Sequence, residues 1–121
     1  VSEPRGRDAV PSGRDVAHDL LEDIAPPFLS RPGVDWGPMF GSTGLRVRGK
    51  VFAVATHSGA LMVKVPQARA AQLRDTGTVS PVVMAGRTMR EWVSMPVAAG
   101  AQAWCALVEE AYSYLDSITP G

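Results

Sequence analysis

GLRVRGKVFAVATHSGALMVKV, residues 44–65, is the stretch whose reading decides the fold. Leu45 and Val47 alternate with Arg46 and Arg48. A period of two is the mark of a half-buried strand. Gly49–Lys50 suits a hairpin turn, because glycine accepts a positive φ. Residues 51–57 (VFAVATH) read as a second strand, apolar on both faces, and Ser58–Gly59 as the next turn. In LMVKV, Leu61, Val63 and Val65 share a face, with Met62 and Lys64 opposite. Three such runs joined by two tight turns predict an antiparallel meander.

Outward from the meander the periodicity changes. Pro66 closes the third strand and opens a short helix over 67–75, which Gly77 ends. Val82–Met84 and Trp92–Met95 read as two more strands, joined by the segment AGRTMRE and stopped by Pro96. From about Gly100 to Ile118, Ala101, Trp104, Val108, Ala111, Leu115 and Ile118 recur at helical spacing. Upstream, Val16, Leu20 and Ile24 recur every four residues, beside Ala17 and Leu21. That predicts a first helix, capped by Ser12 or Asp15 and stopped by Pro26–Pro27. Residues 28–38 are rich in chain breakers and read as an irregular connection. Residues 1–14 read as a flexible or surface-laid tail, and 15–121 as a single domain. The expected fold is α+β: a curved antiparallel sheet of about five strands, with N- and C-terminal helices and a short middle helix. The helices should cover one sheet face and leave the other partly open to water.

The bulk numbers exclude several classes. A chain of 121 residues, 45% hydrophobic, can fill one modest core. One cysteine, Cys105, cannot form an internal disulfide, so reducing surroundings fit. No apolar run is long enough to span a membrane, and the N-terminal stretch has no apolar signal-peptide core. The expected location is therefore cytoplasmic. The net charge is zero, yet unevenly laid out. Residues 1–38 carry four arginines against seven acidic groups, and 99–121 carry three acidic groups and no Lys or Arg. Residues 39–98 hold eight basic groups against Asp75 and Glu91. Such asymmetry speaks to partners rather than fold.

The segment MFGSTGLRVRGKVFAVATHSGALMVKVP, with AGRTMREWVSMP after it, resembles the N-terminal domain of the TfoX/Sxy family. The residues carrying the likeness are Met39–Phe40–Gly41, Gly44–Leu45, Gly49, Phe52, Ala53 and Val63–Lys64–Val65. Gly86–Arg87, Met89, Trp92 and Pro96 close the pattern. The resemblance implies a YjbR-like α+β domain with a curved antiparallel sheet. It gives Met39, Phe40, Gly41, Gly44, Gly49, Phe52, Gly86, Trp92 and Pro96 structural roles. Full-length relatives are competence regulators with an added C-terminal helical domain. This chain ends at residue 121, so the expectation is the N-terminal domain standing alone. For such domains the resemblance implies a regulatory or interaction role, non-enzymatic, with no cofactor.

The residues offer little catalytic chemistry. His18 and His57 are not spaced as a metal pair, so no metal site is expected. Cys105 follows Trp104 on the last helix and reads as a small buried apolar residue rather than a nucleophile. Phe40–Gly41–Ser42–Thr43–Gly44 is glycine-rich but runs into a strand, so it is not a P-loop. The feature above background is the basic set Arg46, Arg48, Lys64, Arg87 and Arg90. Arginine forks suit phosphates and carboxylates. The bland alternative is a solvated sheet face attracting the protein's own acidic helices or those of a second copy. The partners that would fit the face are a second copy (a homodimer), another protein, a nucleic acid or a small anion. Neither a membrane nor a metal ion is expected as a partner.

Overall fold

The computed structural model describes residues 13–39 and 41–120. The elements run α1 (Gly13–Ile24), α2 (Pro26–Leu29), β1 (Val34–Met39), β2 (Ser42–Val47), β3 (Lys50–Ala55), β4 (Ala60–Lys64), α3 (Gln67–Asp75), β5 (Ser80–Met84), β6 (Arg87–Pro96) and α4 (Ala101–Ile118). A single 3-10 turn, Val97–Ala99, joins β6 to α4. The tail expected over 1–14 lies largely outside the described residues, as do Ser12 and Phe40. Gly13 and Arg14 already belong to α1.

The six strands form one antiparallel sheet in the order β1-β2-β3-β4-β6-β5. The meander is as expected, with its first turn shifted by one residue. Val47 pairs with Lys50, so Arg48–Gly49 is the two-residue turn, with φ of 48° and 86°. Positive φ at both central residues is the hairpin geometry that matches strand twist. The connection expected over 28–38 also carries structure. Pro26 and Pro27 end α1 but begin the short α2, and Val34–Met39 forms the edge strand β1.

The helices cover one face. Leu45, Val47, Ala53, Ala55, Leu61, Val63, Val65, Val93 and Met95 project from it into the main core. Ala17, Leu21, Trp104, Val108, Ala111 and Leu115 meet them from α1 and α4. Of the α4 stripe, Ala101 and Ile118 remain exposed, and Cys105 is half-buried at the core margin. A bulge adds one residue to β3: Leu45 pairs with Ala53, but Arg46 pairs with Val51. The ladder is locally disrupted there, and Phe52 and Ala53 both join the helix-side core. Phe52 meets Tyr112 edge-on at 5.6 Å between ring centroids. Arg31 lies over the rings of Phe28 and Tyr112 and bonds both carboxylate oxygens of Glu109, at 2.9 and 2.6 Å.

Arg48 leaves the sheet altogether. Its guanidinium donates to the carbonyls of Asp116, Thr119 and Pro120 at 2.9, 2.7 and 3.1 Å and to Asp116 Oδ1 at 3.0 Å. It thus satisfies carbonyls at the end of α4, where a positive charge also favours the helix dipole. Arg48→Ala removes this cap and keeps the strained positive φ. A loss of about 2 kcal/mol is expected, read as a lower urea midpoint with unchanged slope. Arg48→Lys, which keeps the charge but not the fork, should recover only part of it.

Candidate interaction surface

The face of the sheet opposite the helices is not a bare polar surface. Val54, Met62, Val82 and Trp92 are buried there as a second, smaller cluster. Met39, Val51, Met84 and Met89 pack around it, half-buried. Four of the five methionines thus gather on this face, and Met95 alone faces the helices. Trp92 is a core residue of this cluster, 7% exposed.

Two glycines open the β1–β2 end of the face. Gly37 and Gly44 are cross-strand partners. A Cβ on Gly37 would lie 2.5 Å from Arg46 Cδ, so the Arg46 side chain runs across β1 in the space that glycine leaves. There it reaches Asp35, its own cross-strand neighbour, with Nε–Oδ1 at 2.7 Å and Nη2–Oδ2 at 3.1 Å. The hydrogen bonds from Arg46 hold the Asp35 carboxyl below its usual range.

At the other end the β5–β6 hairpin is irregular. Pro81 pairs with Val93, but Val83 pairs with Thr88. Val82 therefore faces the whole run from Met89 to Trp92. Bulges re-aim side chains in this way. The hairpin closes through Ala85–Gly86, with φ of 52° and 77°. Arg87, beside that turn, and Arg90, within the irregular run, are exposed and line one open groove with Met84, Ala85, Thr88 and Met89.

The structure separates the five basic residues that the sequence grouped. Arg46 is paired with Asp35 on the open face. Arg48 is not on that face: it lies in the turn and reaches α4. Lys64 sits 3.8 Å from Glu91, and Glu91 also accepts a short hydrogen bond from the Tyr114 hydroxyl. That bond raises the Tyr114 phenol above its ordinary range. The Arg87 and Arg90 side chains have no ion pair or hydrogen bond among the described residues. The alternation of Arg46 and Arg48 misled because β2 ends at Val47. The positive φ of Arg48 takes its side chain off the strand pattern.

Other groups give less. His18, Asp19 and Glu22 hold ligand-type atoms within 4.8 Å of one another on α1, a grouping that the sequence spacing had not suggested. They are partly or fully exposed, and His18 is occupied by a stack on Trp36 and a 3.7 Å contact with Glu22. His57 lies in the turn after β3, two residues beyond its end, and its Nε2 hydrogen-bonds the Gly41 carbonyl at 3.2 Å. Arg74 keeps one guanidinium nitrogen buried without a hydrogen-bond partner among the described residues. No helix among the described residues is long and apolar enough to cross a membrane.

Several of the positions that the resemblance singled out have identifiable places in the fold. Gly49 and Gly86 supply the second residue of two hairpin turns, and Gly44 fits where a side chain would meet β3. Phe52 is the bulged core residue, and the Pro96 carbonyl receives the indole N–H of Trp104 at 2.9 Å. Met39 packs against the open-face cluster. No curated protein matches the sequence. A family model described as YjbR matches residues 29–114, from the end of α2 well into α4. The open antiparallel sheet with its helices on one face and the span of that match agree: the chain belongs to the YjbR family, the TfoX N-terminal-like family.

Proposed function

We propose that this domain is a non-enzymatic interaction module of regulatory type, which engages an anionic partner through the β5–β6 hairpin. One observation carries the reading. The other three candidate basic groups are each held by a carboxylate of the same chain, whereas Arg87 and Arg90 stand exposed without such a partner among the described residues. Guanidinium groups left free beside half-buried methionines combine a fork for phosphate or carboxylate with an adaptable apolar surface.

A nucleic acid is the second, sharper reading, favoured by the same two forks on a protruding hairpin. Fluorescence anisotropy with labelled single-stranded and duplex DNA, at low and near-physiological salt, tests both readings, with heparin as a competing polyanion. For a nucleic acid, affinity should fall steeply with salt, and the double variant Arg87→Ala, Arg90→Ala should flatten the log–log slope by about 2. Variant-sensitive binding to heparin but not DNA would leave the interaction module standing with a different anionic partner. Binding to neither at low salt would overturn the anionic reading.

A further inference from the structure

The open face also holds a small cavity of about 140 Å³. Val54, Met62 and Met84 wall it, and Ser42, Ala55, Thr56 and His57 stand at its margin. The hydroxyls of Ser42 and Thr56 and Nε2 of His57 at that margin are already engaged. Ser42 Oγ donates to the Ala55 carbonyl at 2.9 Å. Thr56 Oγ1 accepts from the Ala60 amide at 3.1 Å and shares a hydrogen bond with Ser58. His57 Nε2 bonds the Gly41 carbonyl. A water needs two to four polar partners to be held, and a cavity lined this way offers few. Apolar cavities of about 150 Å³ stay dry and take a benzene-sized ring.

Met84 links this cavity to Arg87 and Arg90. It forms a wall of the cavity and also of the groove that holds Arg87 and Arg90. Met84 and Arg87 are direct cross-strand partners. Their side chains therefore leave the hairpin on the same face, within the usual reach of a cross-strand pair. Methionine walls are unbranched and adjust to a ring's shape, with favourable sulfur–aromatic contacts.

We propose that this cavity is a binding site for a small aromatic anion, its six-membered ring among Val54, Met62 and Met84 and its phosphate or carboxylate on Arg87. The site shares Arg87 with the hairpin reading above, but that reading does not use the cavity. A failure to bind nucleic acid or heparin therefore leaves it standing, and its own failure leaves that reading intact.

Phenyl phosphate is the probe. The intact chain, with ¹³C-methyl methionine, is titrated and the methionine methyl signals followed by NMR. The Met62 and Met84 signals should shift together with a dissociation constant on the order of 1 mM, as a ligand of this size allows. Met95, buried on the opposite face, should not move. Arg87→Ala should weaken phenyl phosphate about tenfold, the loss of one charge-assisted fork, while leaving the response to phenol unchanged. Two results would overturn the proposal: no shift at Met62 with about 10 mM phenyl phosphate, or the same shifts from inorganic phosphate alone.

Discussion

Replacing Trp104 by alanine is expected to destabilise the domain by about 4 kcal/mol, the largest single loss among the substitutions considered. The Trp104 side chain is the largest of those fully buried, at 0% exposure, on the face of α4 that meets the sheet. Its removal leaves a cavity whose walls come from different elements and cannot all collapse together. A second loss adds to the first. The indole Nε1–H donates to the Pro96 carbonyl at 2.9 Å, tying the start of α4 to the end of β6 across the 3-10 turn. Trp104→Phe separates the two effects, because it keeps most of the volume and drops the donor. About half the loss is expected there. Small domains have only about 5–15 kcal/mol in total, so Trp104→Ala should unfold at much lower urea, and possession of secondary structure should be checked by circular dichroism. A midpoint within experimental scatter of the parent would contradict the packing described for α4.

The regular elements were legible because they obey simple periods. Alternation in β2 and β4, the four-residue recurrence in α1 and the three- and four-residue spacing in α4 each marked the right element within a few residues. What the sequence hid has physical reasons. In β1, Val34 and Trp36 do alternate with Asp35 and Gly37, but Gly37 and Pro38 look like chain breakers. Proline is tolerated there because β1 is an edge strand. The bulge at Phe52 and the irregular β5–β6 pairing leave no local signature, since each depends on register with a neighbour. The basic set shows the same limit. Sequence gives the sign of each charge, whereas Arg48 meets its anion 68 residues away, at Asp116. The cavity is assembled from β2, the end of β3, β4 and β5, so no contiguous motif announces it.

The second large effect falls on Gly44, a position named first from a motif and explained only by the fold. Gly44→Ala is expected to cost about 2–3 kcal/mol, unusual for the addition of one methyl group. Its φ is not the cause, since Gly44 is absent from the positive-φ residues. The cause is contact. A Cβ there would lie 2.7 Å from the Ala53 carbonyl oxygen, 3.0 Å from Val54 Cβ and 3.1 Å from Val51 Cγ1. The first two atoms cannot swing aside, because one belongs to the β3 backbone and the other is fixed to it. Relief therefore requires β2 to separate from β3 next to the bulge. Gly37→Ala is the informative contrast. The three atoms nearest its Cβ would all belong to the Arg46 side chain, at 2.5–2.8 Å, and a long side chain can move. That variant should keep nearly all its stability and lose the Arg46–Asp35 pairing, so the Asp35 carboxyl should titrate at a higher pH than in the parent. The sign follows from the hydrogen bonds that now hold it low. If Gly44→Ala were as mild as Gly37→Ala, the close approach of β2 to β3 would not be a constraint on this sequence. The presence of glycine at 44 would then need another cause.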